Sequence, residues 1–243
     1  MNGLGGDENG SLERRLEQLE DELATLRRTQ RTSHEGGSAL RTRVEAVVGE
    51  LQALLAEANG GHGTIDTRTG GRITPLEADP DALSLDDIAH ALSHLTRFAG
   101  QGTEFYSVAR HSVHVSHEVE ARGGSRDAIR WGLLHDATEA YLADVPAPVK
   151  RSLPGYTRAE ANLAEVVREA FEIDLSSADE RLVDAADSAV GRDELARYLP
   201  NGDHERPTLE CEPPVLERGE DVAALFVQRA RALGFAVHSS RTE

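Results

Sequence analysis

Leu12, Leu16, Leu19, Leu23 and Leu26 recur at alternating steps of four and three, the spacing that lays one apolar seam along a helix. SHEGGS at 33–38 reads as a flexible break. Leu40, Val44, Val47, Val48, Leu51, Leu54 and Leu55 then mark a second amphipathic helix, which NGGHG at 59–63 ends. Residues 1–62 are therefore expected to form a helical, coiled-coil-like arm with Gly-rich linkers. Its seam suits self-association, or folding back on the main domain. In IDTRTGGRITP two short runs flank Gly70 and Gly71, which predicts a β-hairpin because paired glycines supply the positive φ angles of the turn. Ser84 to Asp87, Thr157 to Glu160 and Ser177 to Glu180 each set a hydroxyl three residues before a carboxylate, predicting three helix starts. Further helices are expected at 104–121, 126–143 and 220–233.

This pattern predicts an all-α bundle over residues 63–236, with a small β-hairpin at its start, the N-terminal arm before it and a disordered tail at 237–243. At roughly 150 residues per domain, a chain of 243 residues is one domain with an appendage. Hydrophobic residues make up 39% and charged residues 28%, enough for a core and too much apolar content for wholesale disorder. No stretch approaches the roughly 18 apolar residues of a membrane span. MNGLGGDENG lacks the basic and apolar regions of a signal peptide, so a soluble, cytoplasmic protein without a membrane partner is expected.

A net charge of −17 repels DNA, RNA and anionic lipid, and no basic patch offsets it, so a nucleic acid duplex is not an expected partner. Lys150 is the single lysine among 26 basic residues. That scarcity fits an acidic surface kept hydrated in concentrated salt, and equally the arginine codons of a GC-rich genome. The lone Cys211 excludes an internal disulfide and a multi-thiolate zinc site, leaving His, Asp and Glu as metal ligands. Neither G-x-x-x-x-G-K-[ST] nor G-x-G-x-x-G occurs, so a P-loop or Rossmann nucleotide site is not supported.

Candidate chemistry concentrates in WGLLHDATEAYLADVPAPVK, residues 131–150. On a helix Ile129, Leu133, Asp136 and Ala140 share one face, so a carboxylate enters an apolar stripe and needs a cation, a metal or several donors. His135 and Glu139 stand one turn apart beside it. Alone, a His-Asp pair arises by chance, and a buried Asp capping a loop is the commoner explanation. In EFYSVARHSVHVSHEVE, however, His111 lies at the edge of the apolar face, His114 off it and His117 opposite. After Ser177, Asp187 falls near Val183 and Val190 while Asp184 points further round. Were His111, His135, Asp136 and Asp187 to converge, they would form an N/O set suited to one divalent ion: Mn²⁺, Co²⁺, Fe²⁺, Ni²⁺ or Zn²⁺. Water on such an ion ionises near neutral pH.

The order His111, then His135-Asp136, then Asp187 resembles the HD-domain metal-dependent phosphohydrolases. ALSHLTRFAGQ, YSVARHSVHVS, LLHDATEAYLADVPAPVK and AADSAVGRDEL, across residues 64–200, look like the subgroup containing the bacterial 5′-deoxynucleotidase. The resemblance implies an HD-domain fold and hydrolysis of deoxynucleoside 5′-monophosphates to nucleoside and phosphate. It implies Glu139 as the catalytic carboxylate, Arg97 as a phosphate-binding arginine and Asp144 as a sugar contact. Lys150 is a candidate second anion contact, or a solvated charge at a helix end. Mg²⁺ beside the phosphate is a further candidate ion, and a homo-oligomer, dimer or higher, is expected. Gln101 stands where many relatives carry His, and Arg110 where an acidic or amide residue is frequent. His90 and His94 are spaced like zincin ligands but lack the intervening Glu, so they read as structural or surface histidines. Tyr106 and Ser107 line the pocket or, for Tyr106, the core; Trp131 is expected to pack on another helix or subunit. A deoxynucleoside triphosphate triphosphohydrolase and a non-catalytic nucleotide-binding module are the competing functions.

Overall fold

The computed structural model of the chain describes residues 6–32, 37–200, 205–214 and 221–236, which excludes most of the SHEGGS break and the 237–243 tail. The described residues are helical with one two-stranded sheet, and the chain divides into two compact units. One comprises Met1–Gly63 with Lys150–Ala159, and the other Thr64–Val149 with Glu160–Glu243. No described helix is long and apolar enough to cross a membrane.

In the first unit α1 (Gly6–Thr32) pairs with α2 (Gly37–Ala58). Leu19 and Leu26 meet Val47 and Leu54, each pair seven residues apart, with Leu40 packed at the end. Arg15 closes one flank of this seam, 2.7 Å from Glu50 and 2.6 Å from Glu57. Gly61 N donates to Ala56 O at 2.7 Å and ends α2 where the Gly-rich run predicts. The first turn of α8 (Pro154–Ala170) also belongs here. The Arg158 guanidinium fills the space that a Cβ on Gly49 would occupy.

In the second unit the predicted hairpin forms from β1 (Ile65–Asp66) and β2 (Arg72–Ile73), antiparallel, with Ile65 opposite Ile73. Thr69 at its tip donates to Asp87 from backbone N (2.8 Å) and hydroxyl (2.7 Å), tying the turn to α3 (Leu85–His94). Ser84 caps α3 as predicted. The other two starts shift. Pro154, with φ preset for a first helical turn, opens α8 before Thr157, whose hydroxyl instead donates to Lys150 O and Leu153 O just ahead of the helix. Ser176, not Ser177, caps α9 (Ser177–Tyr198), exchanging bonds with Asp179 in a capping box.

At the centre runs α4 (Val108–Ala121), packed by α5 (Arg126–Leu134) and α9 on one side and by α3 and α10 (Val222–Ala232) on another. Ile88, Leu92, Val113, Leu133, Leu134 and Phe226 fill one core, and Val115, Val119, Val183 and Val190 a second. Because α4 is covered nearly all round, its polar residues are buried with it and require partners. Ser116 donates to Ile129 O and accepts from Arg229. His114, expected off the apolar face, is fully buried because residues 205–214 lie over it, with its Nε2 3.5 Å from Cys211 O. His117 stays partly exposed.

The continuous helix expected at 126–143 is instead interrupted. After α5 the residues His135–Thr138 form a tight turn held by i→i−3 bonds such as Ala137 N to Leu134 O, and α6 (Glu139–Leu142) follows. A short α7 (Ala147–Lys150) completes the set.

Glu118 fastens the 205–214 segment to α4, accepting from the backbone N of Glu210 and Cys211 and from Arg122. Burial favours its neutral form, but these donors outweigh burial and hold its pKa below the ordinary Glu value of 4.5. Its stabilisation is therefore complete above that value and is lost as pH falls through the lowered one. Glu118→Ala is expected to cost ~3 kcal/mol in urea unfolding at pH 7, with the difference from wild type shrinking in acid; an equal difference at acid pH would refute this.

Candidate metal centre

Close approach of α4 and α5 is permitted by Gly132, where a Cβ would lie 3.1 Å from Ser116 Cα and 3.3 Å from Val119 Cγ2. This sets His135, just past the end of α5, beside His111 of α4 with ring centroids 5.4 Å apart. Asp187 arrives from α9, its Oδ1 3.0 Å from His111 Nε2 and 3.7 Å from His135 Nε2. Asp136 Oδ2 lies 3.4 Å from His135 Nε2 and 3.7 Å from His111 Nε2. Two bonds of roughly 2.1 Å to a common ion put ligand atoms about 3 to 4 Å apart, so these separations suit a single divalent cation. His111, His135 and Asp187 can together hold a metal ion, and they are the one such group among the described residues.

The remaining ring nitrogens are committed elsewhere. His111 Nδ1 is 2.9 and 3.0 Å from the two Glu194 oxygens, and His135 Nδ1 donates to Gly132 O at 3.0 Å. Both imidazoles therefore turn Nε2 toward the centre, the arrangement by which outer groups orient metal-binding histidines. His135 Nε2 and Asp136 Oδ2 are buried with no hydrogen-bond partner, a condition native interiors rarely leave unanswered.

Electrostatics favour a cation here. Burial and Arg97 oppose a charged His111, yet Glu194 and Asp187 overcome both and raise its pKa to about 10. Burial also opposes a charged His135, and Asp136 and Asp187 prevail and raise it. Asp187 and Glu194 would be raised by burial alone; the imidazoles, with Arg97 for Glu194, hold both below the ordinary carboxylate range. The field that keeps protons on these imidazoles equally attracts a divalent ion, which would displace them.

Arg97 joins this cluster, with Nη2 3.2 Å from Glu194 and Nη1 3.7 Å from Asp136. Burial disfavours its charge, but Glu194, Asp136, Asp187 and Asp144 together raise its pKa. Its loop is pinned where Arg97 N donates to Tyr106 O (2.8 Å) and Val108 N to Leu95 O (3.0 Å). Phe98 and Ala99 take positive φ (58° and 51°) immediately after it. Asp144 thus lies in the electrostatic reach of Arg97, and the residue before it, Ala143, has φ 66° and ψ 159°, a region that is nearly exclusive to glycine. Glu139 opens α6, buried, three residues beyond Asp136.

The other expected residues are placed as follows. Lys150 lies in the first unit, its ammonium 5.6 Å from the Tyr156 ring centroid. Tyr106 is core, its ring 4.6 Å from that of Tyr198. Arg110 stands 4.9 Å from the Tyr106 ring and donates to Pro214 O; Gln101 is exposed. The His90 and His94 rings lie 4.2 Å apart, tilted by 45°, beside a separate 650 Å³ cleft. Trp131 packs against both core clusters of its own unit. Glu194 is the residue that pattern reading missed, although it follows Asp187 by seven and so shares its helix face.

No protein-family profile matches the chain. It is 41% identical over 107 residues to YfdR, an uncharacterized protein of Escherichia coli (strain K12), a match covering 44% of this chain and 57% of YfdR. It is 34% identical over 182 residues to an uncharacterized protein of Rhodobacter capsulatus, covering 68% of this chain and 92% of that protein. The chain belongs to that protein's family. It thus spans little more than half of YfdR and nearly all of the Rhodobacter capsulatus relative.

Glu194→Gln keeps the shape of the side chain but removes the charge that fixes His111 and Arg97. Metal affinity, measured by competition with a chromogenic chelator, is expected to fall about 10- to 100-fold with helicity unchanged; wild-type affinity would show that Glu194 does not orient the site.

Proposed function

We propose that the chain is an HD-type metal-dependent phosphohydrolase acting on nucleotides, with a deoxynucleoside 5′-monophosphate as substrate and nucleoside and phosphate as products. The observation that carries this reading is the meeting of His111, His135 and Asp187 at ion-binding separations, with Asp136 within 3.7 Å of both imidazoles and Arg97 alongside. The order of those residues along the chain, which resembles the HD motif set, supports it further.

In this reading His111, His135, Asp136 and Asp187 hold one divalent ion, of Mn²⁺, Co²⁺, Fe²⁺, Ni²⁺ or Zn²⁺ type, which when bound supplies electrophilic assistance and a more acidic water. Arg97 offers a planar fork of donors to the phosphate oxygens. Asp144 accepts from the sugar. In hydrolysis a water oxygen bonds to phosphorus as the bond from phosphorus to the 5′-oxygen breaks. Glu139 exchanges the proton between that water and the departing alkoxide, a role worth typically 10² to 10⁴ in rate. The enzyme would draw on the cytoplasmic nucleotide pool.

Two substitutions separate the roles. Asp136→Ala is expected to lose both metal, by elemental analysis, and turnover; Glu139→Ala is expected to keep the metal and lose turnover by about 10²-fold or more. Metal retained in Asp136→Ala contradicts the ligand assignment. Product analysis of the metal-replete protein on a nucleotide panel tests the activity itself. Orthophosphate from a deoxynucleoside monophosphate supports the proposal, tripolyphosphate from a triphosphate moves it to triphosphohydrolase chemistry, and tight binding without hydrolysis replaces it with a nucleotide-binding module.

A further inference from the structure

The two helices of the arm bury only half of their apolar pattern. On both, one position of the heptad is inward: Leu19 and Leu26 on α1, Val47 and Leu54 on α2. The adjacent position is left part-covered on both to nearly the same extent: Leu16 42%, Leu23 39%, Val44 41% and Leu51 39% exposed, with Leu55 at 62%. Arg15, with Glu50 and Glu57, closes the flank next to the inward positions. In an antiparallel pair like flanks face each other, so the part-covered positions of both helices turn toward the same, opposite side. That side is one continuous apolar face made of Leu16, Leu23, Val44, Leu51 and Leu55.

We propose that this face is a homodimer interface, in which the α1–α2 hairpins of two copies pair across a two-fold axis as an antiparallel four-helix bundle. Two observations select a second copy as the occupant. Its seam repeats the heptad step of the one already buried, so an identical hairpin supplies matching knobs and holes. The row bordering the face on α1 is Glu13, Glu20 and Arg27, all exposed and without an ion pair among the described residues. Acidic at one end and basic at the other, this row complements itself when reversed. With α1 packed antiparallel on α1 of the second copy, Glu13 meets Arg27 at both ends, and Glu20 meets its own copy at the axis. The like charges at the axis weaken a pairing that the outer pairs favour.

The test uses the full chain in analytical ultracentrifugation across micromolar concentrations, with circular dichroism confirming helix content. A species near twice the chain mass is expected. Leu16→Glu with Leu23→Glu should give monomer. Because that pair could also loosen the hairpin, exposed charges provide the decisive set. Arg27→Glu should weaken the dimer at least tenfold, Glu13→Arg with Arg27→Glu should restore it, and Glu20→Gln should tighten it. A wild-type monomer throughout, a dimer that survives the double leucine change, or a charge reversal that fails to rescue would each overturn the interface.

Discussion

The second unit is organised around a fully buried imidazole that carboxylates meet on both sides. Asp187 and Glu194, one α9 face apart by two turns, address the two nitrogens of the same imidazole: Oδ1 of Asp187 at His111 Nε2, and Glu194 at Nδ1. His111 itself is fully buried on the central helix. Ionised groups in such a place persist only when paired and hydrogen-bonded, so α9, α4 and the Arg97 loop are obliged to meet at one point. The same requirement recurs on other faces of α4, at Glu118 under the 205–214 segment and at Ser116 under Arg229. The polar residues of the central helix thus specify which neighbour lies on which side, while the apolar residues supply most of the driving force.

Irregular backbone gathers near the centre. His135 and Asp136 sit in the tightened turn between α5 and α6, Phe98 and Ala99 take left-handed angles beside Arg97, and Ala143 takes a glycine-like conformation beside Asp144. The positive-φ residues Phe98, Ala99 and Ala143 each cost of order 1 kcal/mol or more, and surrounding bonds over-determine them. The Arg97 loop is closed at both ends by backbone bonds, and Ala143 N donates to Glu139 O. These departures from ideal helix aim side chains that regular geometry would send elsewhere.

Much of this was legible in the pattern of residues. The seams of the arm, the hairpin at Gly70-Gly71, the Ser84 cap and the helices ending near 121 and 232 all follow from periodicity and local chemistry. Periodicity also marked His111, His135 and Asp187 as polar residues on or beside apolar stripes, and these three meet; that they form one set with Asp136 rests on the resemblance to the HD motif order. The break after Leu134 was not legible, since LLHDATEAYL keeps a helical period and only the tertiary position of the imidazole and carboxylate decides in favour of a tighter turn. Nor was the burial of His114, which depends on a distant segment without periodicity of its own. Glu194 was legible but unread: the heptad step from Asp187 places it on the inward face, where a second carboxylate on the stripe implies a second partner.

The charge balance of the centre also constrains the order in which ligands can stay bound. Asp136, Asp187 and Glu194 surround Arg97 closely enough to hold its guanidinium firmly protonated, so its positive charge is already shared among carboxylates before any phosphate arrives. Around the site the chain as a whole carries 17 net negative charges, which repel an approaching nucleotide at long range. An anion therefore gains little from Arg97 alone. Two further positive charges at the point where His135 Nε2 and Asp136 Oδ2 lack partners would reverse that balance, release part of the guanidinium's attraction and give the phosphate a reason to remain. Under the proposed activity, cation and nucleotide then bind with positive coupling, each strengthening the other by the same factor, and the acidic exterior acts as a filter that favours the cation first.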